Sequence, residues 1–126
     1  MPRDARVDLD WADSTYSFRL GWGEIEKLQE ACDAGPFVVL DRLQNGQSRI
    51  GDISHTIRLG LVGGGMEPAA ALKKVREYVE KRPPAENLIY ARAILAAGCY
   101  GAPEEELGNV VAADPEIVST TSPTAS

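Results

Sequence analysis

Apolar and polar residues alternate at the start of the chain. Val7, Leu9 and Trp11 are interleaved with Asp8 and Asp10, and Tyr16, Phe18 and Leu20 with Ser17 and Arg19. A period of two on both sides of Ala12-Asp13-Ser14-Thr15 predicts a β-hairpin with one buried face. Asp13 and Ser14 suit the turn because their side chains can bond nearby backbone. A lone hairpin is marginal in water, so its apolar face needs helices to pack on.

The period then changes. Gly21 and Gly23 flank Trp22 and allow a sharp exit from the second strand. Ile25, Leu28 and Cys32 follow helical spacing, with Ala31 beside them and Glu24 and Glu26 in a first turn that favours acids. Gly35 is expected to end this helix. Pro36 opens a short second one carrying Phe37, Leu40 and Leu43 on its core side, and Asn45-Gly46 terminates it. A third helix sets Ile50, Ile53, Ile57 and Leu61 on one stripe, with Asp52 or Ser48 as its cap. Gly60 inside it points to a close helix contact, and Gly63-Gly64-Gly65 reads as a C-cap and flexible connector. Glu67-Pro68 opens a fourth helix with Leu72, Val75 and Val79 in phase, broken by Arg82-Pro83-Pro84. The fifth runs from about Ala85 to Cys99 with Leu88, Ala91, Leu95 and Cys99 as its core stripe and Ile89 flanking. The expected fold is therefore α+β: a two-stranded antiparallel hairpin packed on about five helices. Residues 1–101 form the domain and residues 102–126 an acidic, Ser/Thr/Pro-rich flexible tail, too poor in apolar residues to order itself.

Charge and composition narrow the chemistry. The net charge is −6, and Glu104, Glu105, Glu106, Asp114 and Glu116 supply five negative charges in a segment without Lys or Arg. An acidic chain without a basic stripe is a poor nucleic-acid binder, because phosphate neutralisation carries most non-specific affinity. Lys73, Lys74, Arg76, Lys81 and Arg82 are interleaved with Glu77 and Glu80, the pattern of a solvated helix face. No apolar run approaches a bilayer span, and the N-terminus has no secretory pattern. Cys32 and Cys99 are expected to be free, buried thiols in a reducing cytosol.

Catalytic and metal-binding constellations are not found. The single histidine, His55, lies mid-helix without ligand-spaced cysteines. Asp8, Asp10 and Asp13 lack the glycine and later glutamate of a calcium loop, and read as solvent-facing strand carboxylates. The triple glycine follows a helix, whereas a phosphate loop follows a strand and precedes a helix with a Lys. Trp11 and Trp22 read as core or hairpin-packing residues. No catalytic residue, metal ligand or cofactor is expected, and the chain reads as a non-enzyme.

Two segments also resemble a known family. Tyr16-Ser-Phe-Arg-Leu-Gly-Trp-Gly-Glu-Ile-Glu-Lys-Leu28 is similar to the opening of small proteins from gene transfer agent and prophage tail clusters, described as tail assembly chaperones or tail tube-associated proteins. Ile53 to Met66 is similar to that family's helix ending in Gly-Leu-x-Gly-Gly-Gly, and Pro84 to Gly98 to its closing helix. The resemblance spans about residues 5–100. The charged helix from Ala69 to Arg82 and the segment after Tyr100 depart from the family pattern. The resemblance implies a protein of tail morphogenesis that acts in the bacterial cytoplasm. It would bind the tape-measure protein, keep it soluble and help tail tube protein assemble around it. Partners implied are the tape-measure and tail tube proteins, with homo-oligomerisation allowed and neither nucleic acid nor membrane expected. Contacts are expected from Tyr78, Tyr90 and Tyr100, which combine apolar area with a polar tip, and from Leu107, Val110 and Val111. The alternatives are a structural tail component or an unrelated small protein-interaction module.

Overall fold

The alternation in the first twenty residues forms the hairpin it predicts. The structure, a computed structural model, describes residues 4–102. Strand β1 (Arg6–Trp11) pairs antiparallel with β2 (Ser14–Arg19), with Val7 opposite Phe18 and Leu9 opposite Tyr16. The turn is tighter than the sequence suggests. Only Ala12 and Asp13 lie outside the strands, and Ala12 takes a positive φ of 58°. Ser14 and Thr15 join the ladder, where the Thr15 hydroxyl donates across to the Asp10 carboxylate at 2.6 Å. Trp11 and Phe18 are buried on the inner face.

Five α-helices follow: α1 (Trp22–Cys32), α2 (Pro36–Gln44), α3 (Ile50–Gly63), α4 (Pro68–Val75) and α5 (Leu88–Tyr100). The α+β architecture expected from the pattern is the one observed. Helix α3 is the hub, packing on β2, α1, α4 and α5. Its glycines set the packing distance. A Cβ at Gly60 would sit 2.9 Å from the Ile94 side chain and 3.3 Å from Phe18, so its absence lets β2 and α5 close on α3. Gly63 and Gly64 are not a loose connector. Cβ atoms there would lie 1.8 Å from the Arg19 carbonyl oxygen and 2.1 Å from that of Ser17. The end of α3 is thus laid against the outer edge of β2 at a distance only glycine permits.

Several boundaries and core positions differ from the expectation. Helix α1 ends at Asp33, in the left-handed conformation, and Gly35 instead caps the start of α2. The residue before α3 is Arg49, whose backbone N–H donates to Asp52 Oδ2 at 2.8 Å, so Asp52 acts from inside the first turn. That carboxylate is buried, with Arg42 Nη1 at 3.5 Å as its ion pair. The fourth helix changes to a π turn at Arg76–Glu80, and Pro84–Asn87 forms a 3₁₀ turn leading into α5. Val39 and Ile94 join the core although the sequence stripes omitted them, whereas Phe37 and Ile50 leave it.

Cys32 and Cys99 are both free. Cys32 is buried and Cys99 half-buried. Burial, with the Asp52 charge beside it, pushes the Cys32 thiol up to about 12. No helix among the described residues is long and apolar enough to cross a membrane.

Candidate partner-binding surface

Three helices begin with an apolar side chain that the core does not receive. Trp22 opens α1 and is 84% exposed, Ile50 opens α3 at 74%, and Phe37 in the first turn of α2 is 55% exposed. Val39 in the first turn of α2 and Ile53 in that of α3 are buried, so the exposure belongs to these side chains and not to the turns as a whole. Val38 and Ile89 are exposed as well.

Tyr100, 64% exposed at the last turn of α5, meets Phe37 edge-to-face with ring centroids 5.7 Å apart. Helices α2 and α5 are held side by side by the Arg92 guanidinium, which donates to the Leu43 carbonyl at 2.8 Å. Two residues before Tyr100, Gly98 packs onto Leu20, where a Cβ would lie 3.0 Å from the Leu20 Cβ. The end of α5 thus meets α2 through Tyr100 and the entry to α1 through Gly98. This surface is aromatic and carries no described ion pair.

Tyr78 and Tyr90 lie elsewhere, and together. With Trp11, Ala12, Arg82 and Glu86 they line a cleft of about 210 Å³ beside the hairpin tip. A second open depression of about 410 Å³, bordered by Asp10, Ser14, Thr15 and Tyr90, adjoins it. Trp11 forms the floor. Its indole N–H donates to the buried Asn87 Oδ1 at 2.7 Å, and Asn87 in turn donates to the Tyr78 carbonyl at 2.9 Å. Tyr16, Phe18 and Tyr78 surround the indole edge-to-face at 5.7–5.9 Å. The rim is charged but paired. Arg82 bonds Glu86 at 2.9 Å and lies over the Tyr78 ring, and Lys74 bonds Asp13 at 2.9 Å between the Tyr16 and Tyr78 rings. Hydrogen bonding from the Tyr16 hydroxyl, then from Lys74, holds the Asp13 carboxyl below its usual value. Tyr16 and Asp13 likewise raise Lys74. Such a cleft fits one protruding side chain of a partner better than a cofactor.

Among the described residues no group of three or more His, Cys, Asp and Glu is placed to hold a metal ion. His55 is half-buried with its Nδ1 3.1 Å from Arg58 Nη2. Burial, then the Arg58 charge, lowers its pKa, so the ring is neutral at pH 7. Asp8 and Asp10 are solvent-facing strand carboxylates that accept from Ser17 and Thr15.

The three tyrosines singled out in the sequence therefore divide between two surfaces. Leu107, Val110 and Val111 lie outside the described residues. Trp22, Phe37 and Ile50 are surface residues that the sequence reading placed in the core. Position near the start of a helix gives no signal for this, since Val39 and Ile53 in the same first turns are buried.

The family model described as phage tail tube protein, GTA-gp10, matches residues 4–101. The chain belongs to that family. No curated protein and no solved structure matches it. The match to the GTA-gp10 tail tube family spans almost all of the described chain, the hairpin and the five helices included, and relates the chain to phage-type tails.

Proposed function

We propose that this chain is a structural component of a phage-like tail, a non-enzymatic subunit that contacts the tail tube through the exposed apolar residues of α1, α2 and α5. The observation that carries this reading is the tail tube family match over residues 4–101. Trp22, Phe37 and Tyr100 supply the contacts, because exposed aromatic side chains contribute large apolar area at small entropic cost. The subunit is recruited in the bacterial cytoplasm while the particle forms.

One observation favours a second reading. The described residues contain a single two-stranded sheet, which is little material for a tube wall. On this reading the chain is a tail assembly chaperone, and the same aromatic residues hold helical segments of the tape-measure protein.

Quantitative mass spectrometry of purified particles separates the two. The structural reading expects the chain in particles at a fixed ratio to the tube subunit. Absence from particles, with recovery in a soluble complex with the tape-measure protein, replaces it by the chaperone. Absence from both overturns the pair.

A further inference from the structure

The two edges of the hairpin are treated differently. The carbonyls of Ser17 and Arg19 point away from β1, into Gly63 and Gly64 of α3, so the β2 edge is closed. In an antiparallel ladder the residues whose backbone groups point outward alternate with those that bond the partner strand. The two-residue turn makes Trp11 and Ser14 a bonded pair, which gives the same alternation. On β1 the outward N–H and C=O groups are consequently those of Arg6, Asp8 and Asp10. The next outward carbonyl, that of Asp4, accepts from the Ala102 N–H at 2.6 Å. The open window of β1 is thus bounded by Ala102 at one end and the turn at the other. Among the described residues no backbone group outside the hairpin fills it.

We propose that this edge pairs antiparallel with β1 of a second copy of the chain, across a two-fold axis at Asp8. The window sets the register. Arg6 faces Asp10 of the second copy and Asp10 faces its Arg6, two opposite-charge pairs on the solvent side. On the inner side Val7 faces Leu9 of the second copy. Both residues are now half-buried, and each gains an apolar cross-strand neighbour. Shifting the register by two residues would displace Ala102 at both ends and set Asp4 against Asp10. In the favoured register the one unfavourable pair is Asp8 with its own symmetry mate. Each of these carboxylates already accepts from its own Ser17 hydroxyl at 2.6 Å. A three-residue window makes a small interface, so the dimer is a weak, reversible one. It needs nothing from the tail role and stands on the hairpin alone.

Sedimentation velocity of the full chain over a wide concentration range tests this. The wild type is expected to sediment as a monomer–dimer equilibrium. Arg6→Asp and Asp10→Arg should each weaken association by about tenfold or more, since each turns two attractive pairs into repulsive ones. The double variant should recover it, and Asp8→Asn should tighten it. Thermal melts of each variant separate loss of pairing from loss of fold, and recovery in the double variant does not depend on either single variant being stable. Monomer up to millimolar concentration overturns the proposal. So does a double variant as weak as the single ones, or a closed ring indifferent to these charges, which would place the contact on another surface or a different partner on this edge.

Discussion

Ala12 and Cys32 show how single residues carry cost in this fold. Ala12 is a non-glycine residue at φ 58°, in a two-residue hairpin turn that favours glycine. Replacing it with glycine removes the Cβ strain, offset in part by the entropy glycine loses on folding. Ala12→Gly is expected to stabilise the protein by about 0.5–1 kcal/mol in urea unfolding. Cys32 holds its proton in the fold well beyond the pH at which an unfolded thiol loses it. Because the folded value is raised, its contribution is complete below about pH 9 and is lost as pH rises toward about 12. A Cys32→Ser variant titrated over that window should show a shallower alkaline loss of stability than wild type. Residue character alone was an uneven guide. Phe18 and Leu28 are buried as their spacing indicates, but Phe37 and Ile50, equally apolar, are exposed while Val39 and Ile53 in the same first turns are buried. Trp22, whose residue type alone suggests packing, stands in solvent.

At the scale of elements, the hairpin and five helices were legible because each has its own period and its own punctuation. Their junctions were less so. The π turn at Arg76–Glu80 inserts a wider turn without disturbing the apolar phase, since Val75 and Val79 are both buried. Nothing in the residue pattern marks it. The triple glycine was legible as an end of helix but not as a contact, because the strand it touches lies more than forty positions earlier in the sequence. Gly63→Ala would drive a methyl group into the Arg19 carbonyl, and backbone cannot rotate aside as a side chain can. A loss of about 3 kcal/mol is expected on chemical denaturation. A loss under about 1 kcal/mol, the cost of an ordinary surface change, would return the segment to the status of a connector.

For the whole molecule, the aromatic surfaces separate packing from recognition. Trp22→Ala should change stability by less than about 0.5 kcal/mol, because the side chain is 84% exposed, yet lower recovery of tail proteins in co-purification. Unchanged recovery would remove Trp22 from the contact surface. Of the candidate contacts, Tyr78 and Tyr90 were recognisable as residue types, but their convergence on Trp11 was not, since it depends on how the π turn and the 3₁₀ turn fold back over the hairpin tip. The bond from Trp11 to Asn87 spans 76 positions. A ribosome adding about 5–20 residues per second makes the hairpin first, then needs roughly 4–15 s more to add the residue that anchors its indole. During that interval α3 is already available to cover β2, but the Trp11 indole has no acceptor and β1 no α5 beneath it. A message cut short before codon 87 would yield a hairpin covered by α3 on the β2 side but lacking Asn87 and α5 beneath Trp11 and β1, so acquisition of the native state waits for α5.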